Sequence, residues 1–211
     1  MFLKVAVSSL VSRKGSAVMT LMAISVAIFV LLGIEQIRQQ ARESFASTVS
    51  GVDLIVGAKT GSLNLLLYSV FRIGSPTDNI SWQAYREIAD ADDVAWTIPI
   101  SLGDSHKGYR VVGTTEAFFT YFSFGKERRL AFYKGEAFEG TFDAVLGSEV
   151  ATALGYSMGT EVILAHGLAS ASFTKHDNQP FVVVGILAPT GTPVDHTIHV
   201  RLEGIEAIHA G

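Results

Sequence analysis

A short glycine-containing loop offers the first residue types suited to chemistry. Residues Gly57–Ser62 read GAKTGS, and phosphate-binding loops are also built from glycine, lysine and threonine. The nucleotide-binding pattern requires one glycine directly before its lysine and another six residues before it. Those two positions hold Ala58 and Asp53 here, so the backbone cannot approach a phosphate closely. We interpret the loop as a turn that follows a strand.

The sequence also contains no motif that indicates nucleophilic or acid–base catalysis. The Gly-x-Ser-x-Gly pentapeptide of serine hydrolases does not occur in the sequence. Ser148 follows a predicted strand and precedes a predicted helix, which is the position of an N-cap. Asp92 and Asp93 follow a predicted helix and are interpreted as a solvated turn. The sequence predicts no catalytic residues, and hence no enzyme.

Histidines suggest a metal site, because Asp195, His196 and His199 are close in sequence and His209 follows them. His196 and His199 are three residues apart in a predicted strand, which places them on opposite faces. A zinc site needs three or four converging ligands. We therefore predict no metal site and no cofactor.

A long apolar run near the N-terminus is the most distinctive element of the sequence. The chain has 211 residues, of which 48% are apolar and 17% are charged, against about 25% charged in typical soluble domains. Gly15–Ile34 contains no charged residue, and about 20 helical residues span the hydrocarbon core of a bilayer. The sequence predicts a transmembrane helix at 15–34, in which Ala23 and Ala27 form a small-residue pair suited to helix packing.

A cleaved signal sequence is the alternative for this run. Signal sequences have a shorter apolar region of about 7–15 residues that ends in a small-residue cleavage site. Glu35, Gln36 and Arg38 follow the run directly, which favours an uncleaved anchor. A mature protein that starts near Ala46 would establish the alternative.

Basic residues predict the orientation. Lys4, Arg13 and Lys14 precede the run, whereas the chain after it carries 13 basic and 20 acidic residues, a net charge of −7. The positive-inside rule therefore places the N-terminus in the cytoplasm and 35–211 on the outer side of the membrane. Residues 1–14 are predicted as an amphipathic helix on the cytoplasmic membrane surface, with an unstructured basic leader as the alternative. The acidic charge argues against nucleic acid or anionic lipid as a partner of the exported part.

A stalk helix is predicted at 35–50, beyond the membrane. Its apolar residues recur at spacings of three and four and form one stripe, which consists of Ile34, Ile37, Ala41, Phe45 and Val49. Such a stripe needs a partner helix, because a lone stalk would expose it to water. Gly51 is the predicted stop.

Residues 51–211 are predicted as an α+β domain in which short strands and helices alternate. The chain contains no cysteine, so this domain must be stable without disulfides. We predict helices from Ser81 to about 91 and at 148–154, and a short helix or turn at 115–122. We predict strands at 53–56, 94–102, 109–113, 144–146, 160–165, 181–187 and 196–202. A turn is predicted at 75–79, another at 103–108, and a polar loop or hairpin at 166–180.

Five segments, in this order, are similar to the permease subunits of MacB/FtsX-type ABC transporters. The first resembles their cytoplasmic helix and first transmembrane helix, the second a segment of one bacterial branch, and the last three their periplasmic core domain. They are LKVAVSSLVSRKGSAVMTLMAISVAIFVLLGI (3–34), DLIVGAKTGSLNLLLYSVFRIGSPTDNI (53–80), YRVVGTTEAFF (109–119), VLGSEVATALGYSMGTEVIL (145–164) and FVVVGILAPTGTPVDHTIHVRLEGIEAIH (181–209).

The resemblance implies a fold, partners and a function. The periplasmic domain would have a porter-like part with an inserted second lobe. Such permeases work as dimers with a cytoplasmic ATPase subunit. They convert ATP-driven movement of the stalks into movement of the periplasmic domains, which drives the export or release of lipoproteins, peptides or drugs, in some cases with a periplasmic adaptor.

The chain departs from this family in one respect. Family members continue into three further transmembrane helices, whereas this sequence has a single apolar run of that length. We therefore expect the N-terminal half of a permease, whether a truncated or a split one. A single-pass binding or sensor module without transport remains the alternative.

Overall fold

The computed structural model describes residues 12–74, 78–166 and 179–209, with the backbone alone at 41–47. It divides into two compact units, Met1–Phe45 and Ala46–Gly211. Lys4 and most of the predicted 1–14 helix lie outside the described residues. So do the centre of the predicted turn at 75–79 and most of the polar segment at 166–180.

Helix α1 (Lys14–Thr48) is unbroken over 35 residues and is about 52 Å long at 1.5 Å per residue. It confirms that the helix continues beyond the apolar run. Its stretch Lys14–Gln40 is long and apolar enough to cross a membrane, and none of that stretch is buried. The helix ends at Thr48, before the expected stop at Gly51, which takes a left-handed conformation at φ 69°.

The second unit contains the remaining elements. The helices are α2 (Ser62–Ser69), α3 (Trp82–Ala89), α4 (Ala117–Tyr121), α5 (Ser148–Leu154), α6 (Leu202–His209) and the 3₁₀ turn Pro193–His196. The strands are β1 (Ser101–His106), β2 (Tyr109–Thr114), β3 (Ser123–Phe124), β4 (Arg128–Arg129), β5 (Phe132–Gly135), β6 (Asp143–Leu146), β7 (Glu161–Val162), β8 (Ala165–His166), β9 (Phe181–Leu187) and β10 (Thr197–Arg201).

A mixed sheet organises this unit in the order β5-β9-β6-β10-β2-β1-β8, with β7 paired to β9. The pairs β6–β9 and β10–β2 are parallel, and the other pairs are antiparallel. Helix α5 lies in the connection between the parallel strands β6 and β9. Strands β3 and β4 form a separate antiparallel hairpin. The expected mixed α/β architecture is confirmed, whereas the finer division into a porter-like part and a second lobe stays a prediction.

Local signals explain the elements that the sequence predicted well. Ser81 caps α3, since its side chain accepts a hydrogen bond from the Ala84 amide. Helix α5 ends at Gly155 in a left-handed conformation, which is a common way to end a helix. Strand β9 has the predicted bounds, because its apolar run lies inside the sheet between β5 and β6.

Several predicted elements were wrong. The segment 53–56 is not a strand, since it has no neighbour in either sheet. Residues 94–100 form no strand either, and the predicted turn at 103–108 is mostly strand β1, with the turn confined to Lys107 and Gly108. The predicted strand at 160–165 is divided between β7 and β8. The last strand begins at Thr197 rather than His196.

Two groups of buried side chains form the core. One contains Val111, Leu146, Phe181 and Ile198 with their neighbours from the sheet, α5 and α6. The other is an aromatic cluster whose buried members are Phe118, Phe122, Phe124, Phe138, Val145, Leu187 and Val194. The sheet is thus covered by apolar groups without any disulfide, as the absence of cysteine requires.

Candidate functional site

The chain is tied to the second unit immediately after α1 ends. The Ser50 amide donates to the Ser123 carbonyl over 2.9 Å, and the Ser123 hydroxyl donates back to the Ser50 carbonyl over 2.6 Å. Thr48 and Ser123 are both buried. These bonds form a bridge between the end of the helix and β3. We call the group Thr48, Val49, Ser50 and Ser123 the stalk clamp.

The stalk clamp lies against the aromatic cluster. Val49 is half-buried there, although the sequence placed it on the exposed stripe. The rings of Phe118 and Phe122 stack with centroids 4.8 Å apart, and Phe122 directly precedes Ser123. Packed aromatic groups resist deformation, since interiors are close-packed. A displacement of the chain at residues 48–50 would therefore be passed to the core of the unit.

Helix α1 carries the other predicted site residues. At 100° per residue, Ala23, Ala27, Ile34 and Ile37 fall within about 80° of one helix face. Ile34 is 62% exposed and Ile37 is 69% exposed, so these two residues of the stripe have no covering surface among the described residues. Ala41 and Phe45 lie in the same helix, but their side chains are outside the described residues.

The described charged residues within and just before α1 are exposed. Arg13 and Lys14, at the cytoplasmic end in the predicted orientation, lie on the surface. Arg38 pairs with Glu35 over 2.9 Å with both side chains more than half exposed, and such pairs contribute little stability. The charges therefore favour orientation in a membrane rather than a binding site.

The suspected metal ligands do not converge. His196 is exposed, His199 is buried in β10, and His209 lies at the end of α6, 3.7 Å from Asp104. The Asp195 carboxylate accepts hydrogen bonds from the Thr190 and Gly191 amides of its own loop rather than facing the histidines. Among the described residues, no three His, Asp or Glu side chains form a possible metal cluster.

Two buried polar groups were missed by sequence reasoning. His199 is fully buried, its ring centroid lies 4.8 Å from that of Phe118, and neither ring nitrogen has a hydrogen-bond partner among the described residues. Burial and the nearby Arg72 cation lower the pKa of His199 to about 3. Arg72 is itself 7% exposed, and burial lowers its pKa to about 10.

The other sequence motifs have structural roles. The GAKTGS loop leads into helix α2 rather than out of a strand, and Gly61 is the N-cap of that helix without a side-chain hydrogen bond. Ser148 is not an N-cap: Gly147 holds that position. A Cβ atom on Gly147 would lie 2.3 Å from the Val194 carbonyl, so glycine is required by close backbone packing. Asp92 and Asp93 are exposed, as expected.

A helix of membrane-spanning length followed by a mixed α/β unit fits a membrane protein with a folded domain outside the bilayer. The family model for the MacB-like periplasmic core domain matches residues 17–207, which is most of the chain. The chain therefore belongs to the MacB-like periplasmic core domain family, found in permeases of the ABC-transporter type. A search of curated proteins found no match.

Proposed function

We propose that the protein is the permease subunit of an ABC transporter, or its N-terminal half, and that it passes on movement driven by a cytoplasmic ATPase. The domain would lie in the periplasm and α1 in the inner membrane. The movement would serve export or release of a lipoprotein, peptide or drug-like substrate. The ATPase would be a separate subunit, since no catalytic constellation is predicted in this chain.

One observation carries this proposal. Helix α1 is continuous from its membrane-spanning stretch to Thr48, and the stalk clamp follows within two residues. A displacement of the chain at the end of this helix would therefore enter the domain at the stalk clamp, which lies against the aromatic cluster. Helices transmit displacement along their axis because their backbone hydrogen bonds run within one segment.

A second permease copy is the proposed partner of α1. Ala23 and Ala27 would allow close approach within the bilayer, where small residues favour helix association. Ile34 and Ile37 continue the same face at the end of the membrane-spanning stretch. A pair of such helices would convert ATPase closure into movement of two domains.

The partner ATPase can be tested by purification. The full chain, carrying an affinity tag, is recovered from detergent-solubilised membranes of the bacterium that produces it. We expect an ABC ATPase subunit, or a polypeptide with the further transmembrane helices of a permease, to co-purify. An unrelated single-pass protein with the same tag is the control.

Repeated recovery of the chain without either partner would contradict the proposal. If a small ligand then stabilised the chain against thermal unfolding, the function would be that of an anchored binding or sensor module.

A further inference from the structure

One face of the second unit carries acidic, aromatic and basic groups next to each other. The rings of Trp96 and Tyr121 stack there with an interplanar angle of 1° and centroids 5.3 Å apart. Tyr121 is 36% exposed and Trp96 is half-buried. Tryptophan and tyrosine are enriched among the residues that dominate the binding energy of protein interfaces. We call this ring pair, with the charged segments 87–93 and 126–134 beside it, the dipolar face.

An acidic turn adjoins the ring pair on the chain that leads to Trp96. Residues 82–96 contain four acidic side chains against one basic side chain, Arg86, which gives a net charge of −3. The four acidic residues are all exposed and are Glu87, Asp90, Asp92 and Asp93. The hydroxyls of Tyr85 and Thr97 are hydrogen-bonded over 3.1 Å. Helix α3, and the acidic turn at its end, are therefore held beside Trp96.

A basic hairpin adjoins the ring pair on the chain that follows Tyr121. Residues 117–135 contain four basic side chains against one acidic side chain, Glu127, which gives a net charge of +3. The four basic residues are all exposed and are Lys126, Arg128, Arg129 and Lys134. Arg129 donates hydrogen bonds to the Thr120 and Tyr121 carbonyls. Strand β4 is therefore tied to the end of helix α4, next to the ring pair.

The two charged segments do not neutralise each other within one chain. Among the residues that the structure describes, no ion pair joins the acidic turn to the basic hairpin, or either of them to another element. Both signs of charge are thus exposed to a partner on one face. Complementary potentials across an interface fix its register and exclude wrong partners, so the partner must present basic groups to the turn and acidic groups to the hairpin.

We infer that the dipolar face pairs with the dipolar face of a second copy of this chain. In a two-fold interface, residue i of one copy contacts residue j of the other, and residue j contacts residue i. A two-fold axis near the ring pair would set the acidic turn of each copy against the basic hairpin of the other. A uniformly acidic or uniformly basic partner would instead meet like charge on half of the face.

The basic hairpin also connects this interface to the stalk clamp. Ser123 of the clamp belongs to β3, and Lys126 follows it by three residues in the same hairpin. A displacement of the chain at 48–50 would therefore reach the paired faces. The inference rests on the second copy that the proposed function invokes but not on the ATPase, so the purification above can fail without affecting it.

Cross-linking of the purified full chain tests the inference. Because the protein has no cysteine, A95C provides a single reactive site at an exposed residue next to Trp96. Equivalent residues near a two-fold axis lie close to each other, so a short bismaleimide should join two A95C chains. A153C, at an exposed residue of helix α5 outside the dipolar face, is the matched control and should give little cross-linked dimer.

Charge reversal shows whether the two segments contact each other. We expect K126E with R128E, and separately D92K with D93K, to lower the A95C cross-linking yield by roughly fivefold or more, because like charges then face each other. All four substitutions in one chain should restore the yield to within about twofold of the parent, since each contact is formed again with its signs exchanged. E149K with E161K reverses two exposed carboxylates outside the face and should leave the yield unchanged.

Yields are compared among variants that keep the thermal unfolding midpoint of the parent. Equal yields at positions 95 and 153 would overturn the inference. So would a chain with all four substitutions that cross-links as poorly as either reversal alone, because the two segments would then bind something other than each other. Disulfides between two α1 helices without cross-links at position 95 would place the failure in this interface and leave the proposed function intact.

Discussion

Replacing Asp195 with alanine is expected to destabilise the domain by about 3 kcal/mol or more. The carboxylate of Asp195 is 5% exposed and accepts hydrogen bonds from the Thr190 amide, the Thr190 hydroxyl at 2.9 Å and the Gly191 amide at 2.7 Å. Alanine would leave the buried Thr190 amide without an acceptor, and the Thr190 hydroxyl and the Gly191 amide would each lose a hydrogen bond. The loss should appear as a decrease in the thermal unfolding midpoint of the full chain in detergent, by about 6–12 °C.

Two variants make this result specific to the loop. D195N keeps the shape of the side chain but replaces one acceptor oxygen with an NH₂ group that faces the donors of Thr190 and Gly191. We therefore expect D195N to lower the free energy of unfolding by most of the amount lost in D195A. D92A removes an exposed carboxylate and should change the free energy of unfolding by less than about 0.5 kcal/mol. Midpoints for D195A and D92A that agree within error would show that the hydrogen bonds of Asp195 do not hold the loop between β9 and β10.

Acidification is expected to weaken the domain through His199. The pKa of His199 is lowered to about 3 in the folded chain, against about 6.5 for an unperturbed histidine. Between these values the unfolded chain binds the additional proton, so stability is complete above about pH 6.5 and falls as pH decreases. The slope is about 1.4 kcal/mol per pH unit, or about 2 kcal/mol between pH 6.5 and pH 5.

Variants can separate this effect from other titrating groups. H199L removes the histidine and keeps an apolar side chain of similar volume beside Phe118, so the difference in unfolding midpoint between pH 7.5 and pH 5 should shrink. Burial also lowers the pKa of His106, which leaves a residual dependence. H196L changes an exposed histidine and is the control. An unchanged pH dependence in H199L would refute the assignment.

The parts of the fold that were predictable have strong local signals. The apolar run, the N-cap at Ser81, the glycine after α5 and the continuous apolar strand β9 each specify one element without reference to the rest of the chain. Helix α1 was predicted beyond the membrane because its apolar residues keep a helical spacing. These elements suffice for the fold class.

Elements that depend on tertiary contacts were missed. Strand β1 reads SLGDSH, which is polar in sequence, and its register with β2 shifts between Leu102 and Ser105. Such an irregularity interrupts the alternation by which strands are recognised. The opposite error occurred at 53–56, where an apolar run predicts a strand but lies exposed ahead of helix α2. Its apolar character reflects a surface rather than a sheet.

The candidate site was predictable only in part. The stripe on α1 follows from spacing, and its role as a pairing surface stays a prediction. The stalk clamp could not be predicted, since Ser50 and Ser123 are 73 residues apart and carry no motif. His199 and Arg72 were missed because nothing in their local sequence indicates that either side chain is buried.

Disulfide formation between two copies of α1 tests most directly the central claim, that α1 pairs with a second permease copy and is coupled to ATP hydrolysis. The protein has no cysteine of its own, so each disulfide must join introduced cysteines. I34C and I37C lie on the proposed pairing face, whereas Q36C and Q39C lie on the opposite face. In oxidised membranes of the producing bacterium, we expect dimers of I34C and I37C but not of the glutamine variants. Their yield should change when ATP and vanadate trap the ATPase. Equal yields at all four positions, or yields that do not respond to trapped nucleotide, would contradict a paired helix coupled to ATP hydrolysis.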